Sequence, residues 1–167
     1  MLRLTHDPIV TPRLELRRTR VEDAPAMFDA LRNTLIYTLL PRAPPSSVAE
    51  VETRFARVMQ ETAADRADQW LNWTVWLRET ERGVGTIEAT VRPDHQVEIG
   101  YLFDPRVWGH GFARESVAAM IGQLRNAGAA SFVATIDVRN PSSKALAAAL
   151  GFTHAATRGI DETWRFS

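Results

Sequence analysis

Residues 98–115 read Glu98-Ile99-Gly100-Tyr101-Leu102-Phe103-Asp104-Pro105-Arg106-Val107-Trp108-Gly109-His110-Gly111-Phe112-Ala113-Arg114-Glu115. The first part follows the turn signal Pro93-Asp94 and predicts a strand over 96–103. The last part opens a helix over 111–126, with Ala113, Val117, Met120, Ile121 and Leu124 on one face. Trp108-Gly109-His110-Gly111 therefore joins a strand to a helix. The first N–H groups of a helix form an anion site, and glycines let backbone approach phosphate with no Cβ in the way. The spacing is not G-x-G-x-x-G, and no Gly-Lys-Ser/Thr of a P-loop is present. From composition alone, the loop either cradles a pyrophosphate or merely turns the chain.

Downstream, Gly128 stands at the helix stop and 132–138 is apolar and β-branched, which predicts a buried strand. A strand–helix–strand unit of this length points to parallel pairing with a right-handed crossover. Asn140-Pro141 opens another helix, asparagine at the N-cap and proline in the first turn, and Gly151 closes it. Short strands near 152–157 and 161–166 complete the chain. Upstream, 70–77 alternates strictly, with Leu71, Trp73, Val75 and Leu77 opposed to Trp70, Asn72, Thr74 and Trp76. With a strand at 84–91 it forms an antiparallel meander. Core packing accounts for Trp73; Trp70 and Trp76 either pack beneath a helix, line a substrate groove or form an oligomer contact. Residues 13–18 predict a first strand. Asp23 predicts an N-cap for a helix to about Asn33, and Ser47 with Glu50 a capping box for a helix to about Ala64. The expected fold is α/β (α+β), a mixed, mostly antiparallel sheet of six to seven strands flanked by about four helices, in one domain spanning residues 1–167.

Composition excludes several chemistries. With 167 residues, 45% hydrophobic and 24% charged, the chain can bury a core without staples. It has no cysteine, which removes disulfides, thiolate metal sites and cysteine nucleophiles. The histidines His6, His95, His110 and His154 show no metal spacing, so no metal is expected. The formal net charge is zero, so nothing calls for a nucleic-acid partner. The first residues read neither as a signal peptide nor as a membrane span, and the expected address is cytoplasmic, with no membrane partner.

Residues 98–115 resemble the central acetyl-CoA segment of the RimJ/RimL-like branch of the GNAT N-acetyltransferase superfamily. Gly111 and Ala113 match the last two fixed positions of the pattern Q/R-x-x-G-x-G/A, while Trp108 departs at the first, as is familiar in this branch. Thr11-Pro12-Arg13-Leu14-Glu15-Leu16-Arg17 resembles the first strand of that branch. Val21-Glu22-Asp23-Ala24 resembles its entry to the first helix, and Asn140 through Gly151-Phe152 resembles its N-x-x-S…G-F segment. The matches fall in order along almost the whole chain.

The resemblance implies a GNAT-like fold whose strands over 96–103 and 132–138 splay apart around the pantetheine arm of acetyl-CoA. Backbone at Tyr101, Leu102 and Phe103 would pair with pantetheine. Trp108, Gly109, His110, Gly111, Phe112, Ala113 and Arg114 would hold the pyrophosphate, and Asn140 and Ser143 would contact the cofactor. It implies direct attack of a neutral amine on the thioester, with a backbone N–H near Phe103 as the oxyanion donor. Glu98 is the first candidate for the base and Glu88 the second. Ser143 is the candidate proton donor, because the tyrosine of some relatives corresponds to Ala147 here; helix capping is its bland alternative. The acceptor would be a small-molecule or peptide amine. A homodimer is compatible with this branch. A second reading, an acyl-CoA-binding sensor or scaffold without transfer activity, fits the same cofactor segment.

Overall fold

The computed structural model describes residues 7–61 and 67–167. In chain order the elements are β1 (Ile9–Val10), β2 (Leu14–Arg18), α1 (Ala24–Leu31), α2 (Val48–Glu61), β3 (Gln69–Leu77), β4 (Arg82–Val91), β5 (Gln96–Phe103), α3 (Phe112–Asn126), β6 (Ser131–Asp137), α4 (Pro141–Ala149), β7 (Thr153–Arg158) and β8 (Asp161–Phe166). The strands form one eight-stranded sheet in the order β1-β2-β3-β4-β5-β6-β8-β7. Every neighbouring pair is antiparallel except β5 and β6. The expected six or seven strands become eight because Ile9 and Val10 pair with Leu16 and Glu15. Two residues are too short a run to show alternation in sequence.

Strand alternation divides the core between the two faces of the sheet. Trp73, Val75, Ile87, Val97 and Phe132 meet Val117, Met120, Ile121 and Leu124 of α3 on one face. Burying side chains of this size stabilises by about 1.5–3 kcal/mol each, so this face is the larger store of stability. On the other face Ala24, Met27 and Leu31 of α1 and Val51 and Phe55 of α2 cover Trp76. Trp76 is thus packed beneath helices, and its indole N–H donates to Thr74 Oγ1 at 2.9 Å.

Two helix starts differ in detail from expectation. Asp23 makes no side-chain cap to α1; its carboxylate accepts from the Arg20 N–H at 3.3 Å, closing a 3-10 turn at Val21–Asp23. Ser47 Oγ accepts from the Glu50 N–H at 3.2 Å as a cap should, but Glu50 reaches one residue further back, to the Ser46 N–H at 2.8 Å. The expected end of α2 near Ala64 lies outside the described residues, as does His6. Among the described residues, no helix is long and apolar enough to cross a membrane.

Candidate active site

The site begins where the one parallel pair comes apart. β5 and β6 pair only at Gln96–Ser131, Val97–Phe132 and Glu98–Val133. Beyond that, β5 stays with β4 as far as Phe103, and β6 stays with β8 as far as Asp137. The strands diverge and a gap opens between residues 99–103 and 134–137.

The ladder register determines which backbone groups face that gap. Arg92 N–H donates to the Gln96 carbonyl, and Asp104 N–H to the Val84 carbonyl. Antiparallel pairs alternate between bonded and non-bonded. Residues 96, 98, 100, 102 and 104 therefore spend their backbone groups on β4, while 97, 99, 101 and 103 turn theirs toward β6. Tyr101 and Phe103 face the gap, and the Leu102 backbone does not; its side chain packs toward α1 and α2. The Trp108 indole N–H occupies the Phe103 carbonyl at 2.9 Å. Tyr101 N–H, Tyr101 C=O and Phe103 N–H are left as a polar edge that an amide-bearing chain can pair with as a strand would.

The loop after β5 is held from beneath. The Asp104 side chain is fully buried and binds Arg82 Nη2 at 2.6 Å and Arg106 Nη2 at 2.7 Å. It also caps the 3-10 turn Pro105–Val107 through the Arg106 N–H at 3.0 Å. Arg106 extends the chain of charges to Asp29 of α1 at 2.6 Å. Burial works against the Asp104 charge, but the Arg106 hydrogen bonds and the two guanidinium charges outweigh it and hold its pKa below the ordinary value.

Gly109 and Gly111 have φ of 79° and 77°, the left-handed region that glycine enters at no steric cost. They flank His110 and deliver the chain to Phe112, where α3 begins. Both contacts of His110 Nδ1, at 3.2 and 3.0 Å, are carbonyl oxygens, those of Val107 and Trp108, so Nδ1 carries the proton. The ring stacks on Phe112. The first N–H groups of α3, at Phe112, Ala113 and Arg114, thus open beside two residues without side chains. Arg13 clamps this start: Nε meets Glu115 at 2.7 Å, Nη1 donates to the His110 carbonyl at 2.9 Å, and the guanidinium lies over the Phe112 ring. Thr11 Oγ1 adds a 2.6 Å bond to Glu115. Burial raises the cost of charge on Glu115, yet Thr11 and Arg13 keep its pKa lowered. Neutralised in this way, Glu115 does not repel an anion at the helix start.

Across the gap, Asn140 caps α4, its Oδ1 accepting from the Ser143 N–H at 3.0 Å. Its capping role is thus seen directly, with its amide nitrogen outside that bond. The Tyr101 phenol reaches toward Ser143; burial raises its pKa, partly offset by the Ser143 hydroxyl. The phenol is therefore protonated at neutral pH.

The candidate carboxylates stand on the face of the sheet covered by α1 and α2. Glu98 is at the last joined position of β5 and β6 and accepts from Arg92 Nη2 at 2.9 Å and Thr135 Oγ1 at 3.4 Å. Glu88 is opposite Gly100 and exposed. Asn72 lies opposite Glu88 on β3. Sequence reading did not single out Arg13 as a clamp, Asp104 as an anchor, or Asn72. The contacts of Arg13 with Glu115 and of Arg82 with Asp104 join positions far apart in the chain, and no local pattern marks them. Among the described residues, no group of three or more His, Asp or Glu is arranged to hold a metal ion.

Comparison with known proteins gives consistent findings. A family model for the acetyltransferase (GNAT) domain matches residues 13–153. A search of the curated proteins returns no match. Among solved structures, RimL, a ribosomal L7/L12 alpha-N-protein acetyltransferase in complex with coenzyme A, superposes with a TM-score of 0.81 at 18% identity, covering 96% of this chain and 97% of that one. An acetyl transferase from Salmonella typhimurium that modifies the N-terminal serine of ribosomal protein L7/L12 gives a TM-score of 0.79 at 18% identity, covering 96% and 98%. A GNAT-family acetyltransferase from Bacillus anthracis gives 0.78 at 16% identity, covering 96% and 98%. At these identities the likeness is one of fold.

Proposed function

The chain belongs to the GNAT family of acetyltransferases, and from that premise we propose that it transfers an acetyl group from acetyl-CoA to the primary amine of a peptide N-terminus or a small molecule. The observation that carries this reading is the continuity of two features: a gap edged by Tyr101 and Phe103 backbone groups, and a left-handed glycine loop opening α3. An amide-bearing arm fits the first and a pyrophosphate the second. Tyr101 and Phe103 would hold the arm; Gly109, His110, Gly111, Phe112, Ala113 and Arg114 would hold the phosphates. Trp108 shapes the loop through its bond to the Phe103 carbonyl. Asn140 caps α4 and offers its amide nitrogen to the cofactor.

Bound acetyl-CoA supplies the activated thioester. The amine nitrogen forms a bond to the carbonyl carbon, the carbon–sulfur bond breaks, the nitrogen loses a proton and the departing sulfur gains one. The Phe103 N–H, which the ladder register turns toward the gap, would hold the carbonyl oxygen as charge develops. Ser143, with the Tyr101 phenol beside it, would return the proton to sulfur. An α-amine has an ordinary pKa of about 7.7–8.0 and is partly neutral at physiological pH, so a weak base suffices. Glu98 is tied to Arg92 and Thr135, and it remains the first candidate for that base, with Glu88 the second. A peptide N-terminus is favoured as acceptor because the RimL-like neighbours act on one. No observation favours the non-transferring sensor.

The test is thiol release from acetyl-CoA with a panel of N-terminal peptides and small amines, products read by mass spectrometry. Thiol release matched by acetylated amine is expected. Release without acetylated product, or none with any amine, would overturn the reading.

A further inference from the structure

The turn after β5 and the end of α1 enclose an open depression of about 480 Å³, lined by Asp29, Arg32, Asn33, Thr34 and Arg106. One wall is an ion pair. Arg106 Nη2 meets Asp29 Oδ2 at 2.6 Å and also donates to the Asp29 carbonyl at 3.2 Å. That hydrogen bond holds the Asp29 pKa below its ordinary value, so the carboxylate is charged and already spent on Arg106.

Arg32 is bound far more loosely. It is the C-cap of α1, and its Nε stands 3.6 Å from Asp29 Oδ1, beyond hydrogen-bond length. Its side chain is 59% exposed, with the guanidinium over the Phe28 ring at 5.6 Å. Among the described residues, neither terminal nitrogen of this guanidinium has a hydrogen-bond partner. Asn33 Oδ1 accepts from the Leu35 N–H at 3.0 Å, which leaves its amide nitrogen unspent. The Thr34 hydroxyl is exposed and makes no bond among the described residues. The unspent groups lining the depression can therefore all donate. Charge points the same way: the guanidinium groups of Arg32, Arg82 and Arg106 face the two carboxylates of Asp29 and Asp104, which leaves one positive charge in excess. An arginine fork beside neutral donors matches a carboxylate or phosphate.

The depression is close to the gap. Arg106 is three residues past Phe103, so their Cα atoms are at most about 11 Å apart. Phe103 ends β5 at the edge of the gap, and its N–H is the group assigned above to the thioester carbonyl. An extended peptide advances about 3.3–3.6 Å per residue. A chain whose amine stands at the thioester comes within reach of the depression with its second to fourth residues. We propose that this depression selects the acceptor: the Arg32 fork, with Asn33 and Thr34, binds an Asp or Glu side chain at the second to fourth position of a peptide. The assignment rests on the transferase reading above and names its substrate class, a peptide with an acidic N-terminal segment. Arg32 takes no part in the chemistry; it acts on affinity for the acceptor, while Arg106 and Asp29 hold the wall.

The full chain is compared with Arg32→Gln and Arg32→Glu. Each receives three serine-initiated peptides of equal length, carrying Asp and Glu, Asn and Gln, or Lys at the second to fourth positions. The readouts are steady-state kinetics, calorimetric binding of each peptide to the CoA-loaded protein, affinity for acetyl-CoA and its 3′-dephospho analogue, and melting temperature. The unmodified protein should favour the acidic peptide over its amide twin about tenfold in kcat/KM, chiefly through KM, with the same order in calorimetry. The preference should shrink between about 0.05 and 0.5 M salt, because an exposed charge pair is screened. Arg32→Gln should bring the acidic peptide down to the level of its amide twin, and Arg32→Glu should turn the preference toward the lysine peptide. Since Arg32 is exposed and loosely paired, melting temperature should stay within about 2 °C. Equal kinetics and binding for the acidic and amide peptides with the unmodified protein would overturn the assignment. So would a loss in Arg32→Gln that falls on both peptides alike. Weaker binding of acetyl-CoA, but not of its 3′-dephospho analogue, by Arg32→Gln would give the depression to the cofactor phosphate and overturn it as well. Absence of transfer to any amine would instead remove the transferase reading, and calorimetry with the peptides would still decide whether the depression selects acidic chains.

Discussion

Asp104→Asn keeps the size of the side chain and removes its charge at the one point that joins β5, the glycine loop and α1. Asp104 is 0% exposed, while its partners Arg82 and Arg106 are 40% and 49% exposed. Were all three buried, breaking the pairs would cost about 3–5 kcal/mol. The half-exposed guanidinium groups regain water, so the loss falls to the scale of charged hydrogen bonds, about 1.5–3 kcal/mol. For a chain of 167 residues that corresponds to a fall in melting temperature of about 4–10 °C. The sign with pH follows from the lowered pKa: the carboxylate contributes stability above its unfolded value of 3.8, lost as pH falls through the folded value. Urea denaturation of the protein and the variant from pH 7 downward should show a constant difference to about pH 4, then a narrowing one. A difference below about 0.5 kcal/mol at pH 7 would refute the anchor, since that is the scale of a surface substitution. A difference that persists once the carboxyl is protonated would refute the electrostatic argument.

Other substitutions separate roles along the site. Arg13→Met removes the ion pair to Glu115 and the bond to the His110 carbonyl. Because Arg13 is half exposed, a stability loss of only about 1 kcal/mol is expected, but acetyl-CoA affinity by calorimetry should fall several-fold as the loop loosens. Equal affinity would show that the loop holds its shape without the clamp. Asn140→Ala removes the α4 cap, at a cost of about 1 kcal/mol in thermal or urea unfolding. A drop in acetyl-CoA affinity beyond that of a second cap-removing variant, Asn140→Ser excepted as a capping residue itself, would mark direct contact with the cofactor.

The elements most legible in sequence were those whose signals are local. The apolar face of α3, the paired glycines before it, Asn140-Pro141 at the start of α4 and the strict alternation of β3 all lie within a few residues of one another. Periodicity and capping chemistry report such features directly. What escaped depended on distance or on competition between equivalent partners. β1 exists because β2 offers it an edge, which two residues cannot announce. Asp23 and Glu50 have the residue types of helix caps, yet each carboxylate accepts from a different N–H than the one expected. The Arg92 and Thr135 contacts of Glu98 join residues on other turns and strands, and the sequence around Glu98 does not announce them. The Glu88 side chain lies over Gly100 in space a Cβ would fill, a cross-strand fact invisible along the chain.

The central claim is that the gap and the glycine loop together hold acetyl-CoA, and a thermal melt with and without acetyl-CoA tests it most directly. At a hundredfold excess over Kd, a ligand that binds only the folded chain adds about 2.7 kcal/mol, a rise in melting temperature of about 5–10 °C. Gly111→Val, which forces a branched side chain into φ 77° at the start of α3, should abolish most of that rise. No rise with the unmodified protein at saturating acetyl-CoA, or an equal rise with Gly111→Val, would contradict the placement of the cofactor.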